Sequence, residues 1–419
     1  MNICMFTNTY LPHVGGVARS VSIFAEDLRA MGHNVLVVAP TFDHQPENED
    51  EKYVLRVAAI QNFNGSDFSV RIPVPGALDE KIDAFRPDII HSHHPFLLGD
   101  TALRTARQHD LPILFTHHTL YEQYTHYVPF DSDAMKRFVI HLSTEYANLC
   151  NGVIAPSSSI KTLLEKRGVS KPVVVLPTGV DLDFFKKGKA DLFRKKYNLS
   201  EDHKIIGHIG RLAREKNLPF LAAAVARFLK KRPGFSFVVA GTGDAKNEIK
   251  KIFAAHSLTD RLIMPGILRG TELADCYKAM DVFVFASKSE TQGLVLMEAM
   301  AAGVPVIAVR ASGVSDVVAD CKNGRVLRAN CSEKGFAEAI ADAFDSEDID
   351  KWRPAALHTA ERFSRERCAS MLLELYKNIL GTKSAPEIHP DLLDALRKKL
   401  QVEWELLQEK ASAVMHTLT

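Results

Sequence analysis

Two carboxylates eight positions apart, Glu290 and Glu298, stand in the segment SETQGLVLMEAMAAGVPV, the part of the chain best equipped for chemistry. The apolar run DVFVFAS leads into Glu290 as a strand, and the residues after Gly293 continue as a helix. That puts Glu290 at a loop tip, where a carboxylate can accept hydrogen bonds from sugar hydroxyls. Gly293, Leu294 and Val295 form the helix's first turn, whose backbone N–H groups suit a phosphate. Glu298 is bracketed by Met297, Ala299 and Met300 and is expected to be part-buried. A carboxylate in that setting needs donors, and a ribose diol would supply them.

A second segment, GRLAREKN, offers Gly210, Arg211 and Lys216 at the end of another apolar strand run, IIGHIG. In open α/β sheets ligands bind beyond the carboxyl ends of the strands. Two cations five residues apart there can hold a diphosphate and stabilise it as it departs. A third feature, Gly15-Gly16, follows the first strand and precedes a helix, so the backbone can approach a ligand closely. The spacing is not G-x-G-x-x-G, so no dinucleotide fingerprint is present, and a plain tight turn is the competing explanation.

Histidines are concentrated at His91, His93, His94, His117, His118 and His126. The first five lie where predicted strands end. They are read as structural or hydrogen-bonding groups, with no metal expected.

The elements that carry these residues alternate. Strands are predicted at Asn2–Phe6, Asn34–Ala39, Tyr53–Val57, Asp88–His91, Ile113–Thr116, Val153–Ala155 and Val173–Leu176. Helices fall at Val17–Met31, Leu98–Gln108, Ala134–Cys150 and Ser158–Lys166. The pattern restarts with strands at Lys204–Ile209, Ser236–Ala240, Leu262–Met264, Val282–Phe285 and Pro305–Ala308. Helices lie between them at Leu218–Lys231, Asp244–Ala255, Glu272–Met280 and Leu294–Ala302. Near-continuous apolar strands alternating with helices predict parallel sheets covered on both faces, hence an α/β protein. The charged run between Lys186 and Lys196 is taken as the boundary between two domains. Residues 381–390, GTKSAPEIHP, read as a linker rich in breakers. After it Leu393, Leu396, Leu400, Trp404, Leu407 and Ala411 recur at helical spacing. That stripe is read as a packing surface, against the chain itself or a second copy, in preference to a membrane.

At 419 residues, 46% hydrophobic and 25% charged, the chain has the composition of a soluble α/β protein of two domains. A net charge of +1 provides no general attraction for nucleic acid. Six scattered cysteines without a C-x-x-C pair argue for reduced, packed thiols. No apolar run reaches the roughly 20 residues of a membrane span.

Taken together, Glu290 and Glu298 with seven residues between them, GRLAREKN, HVGGVARS and PTGVD resemble the landmarks of retaining GT-B glycosyltransferases, in the same order. The resemblance covers residues 1 to about 380. It implies two Rossmann-like domains whose parallel sheets face across a cleft: an acceptor domain of residues 1–190, a nucleotide-sugar domain of 191–365, and a helix near 366–382 crossing back to the first. By the same resemblance Arg211 and Lys216 bind the donor diphosphate, Glu290 holds the transferred sugar and Glu298 the ribose. Gly210, Gly293, Leu294 and Val295 provide donor contacts, Gly15 and Gly16 lie against the donor from the other domain, and His118 sits at the reacting centre. The implied cosubstrate is a nucleotide diphosphate sugar, with no other cofactor. Thr178 stands where the family commonly has Asn. The segment HHTLYEQYTHYVP is similar to that of bacterial diacylglycerol glucosyltransferases, which implies a lipid acceptor near Tyr121, Tyr124 and Tyr127. It also implies a cytoplasmic protein, peripheral on the inner face of the membrane; a loop packed on its own domain and a soluble acceptor are the alternatives.

Overall fold

The computed structural model describes residues 1–13, 15–42, 52–60, 70–71, 77–125, 132–288, 290–381, 401–406, 408–410 and 412. They form two compact units, Met1–Thr178 with Cys368–Thr419, and Gly179–Arg367. The first runs β1 (Asn2–Phe6), α1 (Gly16–Ala30), β2 (Asn34–Pro40), β3 (Val54–Val57), β4 (Ala59–Ile60), β5 (Val70–Arg71) and α2 (Ala77–Phe85). It continues through β6 (Ile89–Ser92), α3 (Leu98–Gln108), β7 (Ile113–Thr116), α4 (Asp133–Leu149), β8 (Gly152–Ala155), α5 (Ser158–Lys166) and β9 (Val173–Val175). The second opens with α6 (Leu182–Lys186), α7 (Ala190–Lys196), β10 (Lys204–Ile209), α8 (Leu218–Leu229), β11 (Phe235–Ala240), α9 (Lys246–Ala255) and β12 (Leu262–Gly266). Then follow α10 (Gly270–Ala279), β13 (Val282–Phe285), α11 (Leu294–Ala301), β14 (Val306–Val309), α12 (Val314–Val317), β15 (Gly324–Leu327), α13 (Glu333–Asp345) and α14 (Asp348–Glu361). The chain leaves through α15 (Arg365–Gly381).

Among the described residues the first unit carries a parallel sheet ordered β3-β2-β1-β6-β7-β8-β9, and the second one ordered β12-β11-β10-β13-β14-β15. Both are doubly wound. The order reverses between β1 and β6 in one and between β10 and β13 in the other, which opens a crevice at the strand carboxyl ends.

Packing follows from the two-residue period of a strand. Ile205, Ile209, Phe283 and Phe285 feed one apolar cluster of the second unit, while Ile206, Val282 and Val284 feed the cluster on the other face. In the first unit Cys4, Phe6, Ile113 and Phe115 lie on one face, and Ile3, Met5 and Leu114 on the other. Both faces are covered, which is why these strands read as continuous apolar runs. Several helices start where the sequence places a small polar cap. Ser132, Ser157 and Ser332 each accept a backbone N–H three residues on.

Two readings of the sequence change, that of the charged run and that of the last helix, while the helix expected to return to the first domain does so. The charged run around Lys186–Lys196 is helical, as α6 and α7, which pack on α10 in the second unit, and the division between units falls at Thr178–Gly179. Helix α15 buries Cys368, Leu372 and Tyr376, spaced four apart, in the core of the first unit. In the last segment Trp404 faces solvent at 62% exposure, while Val402, Leu406 and Glu409 are buried on the first unit. The helix is therefore turned from the expected stripe. Val402 and Leu406 supply a second apolar pair at helical spacing. Ion pairs of Glu403 with Arg104, Glu405 with Arg107 and Lys410 with Asp100 favour that face. Leu393, Leu396, Leu400, Leu407 and Ala411 lie outside the described residues.

Candidate active site

In the second unit the predicted donor residues gather at the reversal point of the sheet. Gly210 and Arg211 follow β10, and Glu290 follows β13, its immediate neighbour. Lys216 lies in a short 3₁₀ turn, Arg214–Lys216, ended by Asn217 in the left-handed conformation at φ 53°. Its Nζ is 3.0 Å from Glu290 Oε2, and both side chains are largely buried. The other Glu290 oxygen accepts the Gly293 backbone N–H at 3.2 Å. One carboxylate thus ties the cationic loop to the start of α11. Gly293 has φ 81°, a conformation that side chains other than glycine adopt at a cost, and so aims the helix start. Leu294 and Val295 occupy the first turn, where backbone N–H groups precede the intrahelical ladder.

Arg211 pairs with Glu215, whose backbone carbonyl accepts Lys288 N–H at 3.1 Å, so the loops after β10 and β13 are also joined through the main chain. Glu298 is 3% exposed and accepts the Tyr277 hydroxyl at 2.8 Å. It is more deeply buried than its sequence suggested. Its demand for a donor is met in part by the protein itself, which the sequence did not reveal because Tyr277 lies on a different helix, α10.

In the first unit the strand ends bring histidines together. His91 uses both ring nitrogens, towards the Tyr376 hydroxyl at 2.6 Å and the Thr116 hydroxyl at 2.7 Å. His93 Nδ1 lies 2.9 Å from His118 Nε2. His94 Nδ1 accepts the Asn8 N–H at 3.1 Å. Burial pushes His91, His94, His117 and His118 down to about 3, and His93 well below the ordinary histidine range. Neutral imidazoles of such low basicity donate or accept hydrogen bonds and are poor proton acceptors at neutral pH. Among the described residues no three His, Cys, Asp or Glu side chains converge as a metal-holding group.

Gly15 precedes α1 with extended backbone, φ −161°, so conformation does not explain the glycine pair. A Cβ on Gly15 would press on the His13 ring, whereas one on Gly16 would meet no atom within 4 Å. Nothing in the described fold requires glycine at 16.

The tyrosines depart from the expected wet rim. Tyr121 is buried, its ring 5.2 Å from Phe96 and 5.6 Å from His117. Tyr124 is half-buried, and Tyr127 lies outside the described residues, as does His126. An ion pair of Glu122 with Arg167 at 2.5 Å, both largely buried, fastens this loop to the end of α5. The loop packs on its own domain.

Two doubly wound units, one with a cationic loop and a helix start at its reversal point, define a glycosyltransferase of the GT-B class. The first half, residues 14–184, matches the model of Glycosyltransferase Family 4, and residues 189–359 match Glycosyl transferases group 1. The chain belongs to this glycosyltransferase family. It is 31% identical to an alpha-monoglucosyldiacylglycerol synthase of Streptococcus pneumoniae, over 82% of this chain and 78% of that one. It is 28% identical to a GDP-mannose-dependent alpha-mannosyltransferase of Corynebacterium glutamicum, over 91% and 90%. Its fold matches the solved sucrose-phosphate synthase of Thermosynechococcus elongatus with a TM-score of 0.76 at 22% identity, covering 91% of this chain and 99% of that one.

Proposed function

We propose that the protein is a retaining hexosyltransferase that moves glucose from UDP-glucose to a diacylglycerol-type lipid. The observation that carries the transfer chemistry is the junction of Lys216, Glu290 and Gly293 at the β10–β13 reversal. There a cation, a carboxylate and a helix start meet within hydrogen-bonding distance. In this reading Lys216 and Arg211 hold the diphosphate, helped by the N–H groups of Leu294 and Val295. Glu290 takes the hydroxyls of the transferred sugar, and Glu298, already oriented by Tyr277, takes the ribose. Gly210 keeps the loop after β10 close to the diphosphate. Gly15 and Gly16 lie against the donor, with open space where a side chain of residue 16 would stand.

The acceptor hydroxyl attacks the anomeric carbon on the face that the diphosphate leaves. The new carbon–oxygen bond forms as the carbon–phosphate-oxygen bond breaks, and a diphosphate oxygen takes the acceptor proton. Arg211 and Lys216 meet the growing negative charge, so no metal or other cofactor is proposed. His118 donates or accepts a hydrogen bond at the sugar. Tyr121, through the loop it anchors, and Tyr124 and Tyr127 border the acceptor.

Support for glucose and for diacylglycerol comes from the pneumococcal relative, whose name states both. An acceptor that resides in lipid makes the protein a peripheral one, working at the cytoplasmic face, where nucleotide sugars are available. Among the described residues no helix is long and apolar enough to cross a membrane. The similarity to a GDP-mannose-dependent mannosyltransferase supports a second reading, the same chemistry with GDP-mannose.

The test is nucleotide release by the purified chain from UDP-glucose and from GDP-mannose, with and without diacylglycerol in phospholipid vesicles. Release of UDP that depends on diacylglycerol, with an α-linked product by NMR, supports the proposal. Release of GDP alone moves it to the second reading, and an inverted product removes the retaining mechanism.

A further inference from the structure

His93 has no part in the transfer chemistry set out above, yet its contact with His118 constrains that ring. The two rings meet nitrogen to nitrogen at 2.9 Å and lie 25° apart in plane. His93 is buried and His118 part-buried, and desolvation keeps both neutral, so the bridge holds one proton: one ring donates and the other accepts. Each neutral imidazole carries one N–H, so the direction of the bridge sets the tautomer of both rings at once.

His93 has no freedom to adjust. It is fully buried, its ring lies 4.1 Å from that of His91, and its Nε2 has no hydrogen-bond partner among the described residues. If His118 donated, the proton of His93 would sit on Nε2 as a buried orphan donor. If His93 donates through Nδ1, Nε2 is left only as an unused acceptor. Buried orphan N–H groups are the rarer arrangement in folded proteins. The ring behind His93 is fixed as well, because His91 is held by the Thr116 hydroxyl and, from α15, by the Tyr376 hydroxyl.

We propose that His93 is a positioning residue that donates its Nδ1 proton to His118 Nε2, locking His118 as the Nδ1–H tautomer and making it a hydrogen-bond donor towards substrate. This rests on the functional reading above for the word substrate, while the tautomer itself is a property of the resting protein. His93 would act through His118 and need touch no substrate atom.

The experiment uses the full chain labelled with ¹⁵N-histidine, with long-range ¹H–¹⁵N spectra assigned by a His118→Gln variant. His118 is expected to show protonated Nδ1 and bare Nε2. Two variants then separate positioning from packing. His93→Asn can place an amide N–H near the original Nδ1, whereas His93→Leu fills much of the volume without a donor. His93→Asn should keep the Nδ1–H signature and turn over within about fivefold of wild type. His93→Leu should shift His118 to a tautomer mixture and lower kcat at least tenfold with KM for the donor little changed, provided its melting temperature shows that it is folded. A wild-type spectrum with His118 protonated at Nε2 overturns the inference. So does a folded His93→Leu with wild-type kcat or an unchanged His118 signature. If His93→Leu does not fold, the wild-type spectrum and His93→Asn still decide. If wild type turns over no nucleotide sugar, the functional reading falls while the spectra still judge the tautomer.

Discussion

Single side chains carry the two sharpest expectations. Lys216 is held against Glu290 in a part-buried ion pair, so replacing it by Met removes a cation from a site that excludes much water. Losing one preorganised electrostatic group of this sort costs about 10²–10³ in rate. Lys216→Met should therefore lose roughly that much kcat, with a melting temperature within a few degrees of wild type, as measured by nucleotide release and calorimetry. Gly16 gives the complementary case. The space where its Cβ would stand is open and the residue is exposed, so Gly16→Ala should fold at least as well as wild type, because alanine favours a helix by up to about 1 kcal/mol over glycine. In the proposed site that space belongs to substrate. Gly16→Leu should then weaken donor binding severalfold in a titration while the melting temperature holds, and unchanged affinity would remove Gly16 from the site. Glu290 and Lys216 were legible because their types and the ends of their strands already implied a phosphate-facing loop. Tyr277, which orients Glu298, was not, since helices from different parts of the chain meet only in the folded core.

At the level of elements, the C-terminal helical turns at 401–406 and 408–410 pose a titration question. Glu409 is buried on the first unit, and burial raises it to about 8, with Asp100 nearby adding to the effect. Unfolded, the group titrates near 4.5. Between these values the folded state binds more protons than the unfolded one, so stability falls as pH rises from about 4.5 to about 8. Glu409→Gln removes that dependence. At pH 8 its melting temperature should exceed that of wild type by a few degrees, and at pH 5 the two should converge. A difference independent of pH would show that Glu409 is not protonated in place. The same helix shows how far periodicity reaches. The sequence supplied two apolar sets at helical spacing, one with Trp404 and one with Val402 and Leu406. The choice between them came from Arg104, Arg107 and Asp100, on or beside a helix some 300 residues earlier.

The whole molecule divides where the chain crosses twice. The entering and leaving segments of the second unit are stitched together, Val180 N–H to the Phe363 carbonyl at 2.7 Å and Arg365 N–H to the Val180 carbonyl at 3.2 Å. With both ends closed and a core on each face of its own sheet, residues 179–367 should fold as an independent domain. Expressed alone, that fragment is expected to unfold in one cooperative transition and to bind UDP-glucose, weakly, without turnover. A fragment that folds but binds no nucleotide would place the donor site elsewhere. The first unit differs, because its core depends on Leu372 and Tyr376 of α15, at the far end of the chain.

From the sequence alone came the alternation of buried strands and helices, two α/β domains, and the cluster of Gly210, Arg211, Lys216, Glu290 and Gly293 at strand ends. These depend on local chemistry: apolar runs of the length of a strand, glycine at a turn, charge where a strand stops. Left to the tertiary structure were the helical character of the charged run at 186–196, the burial of Tyr121, the face of the last helix, and the pairings of Glu298 with Tyr277 and of His118 with His93. Each of those depends on which distant side chain arrives beside a given one. A periodic pattern says that a face will be buried; only the packed partner decides which face, and which polar atom it must satisfy.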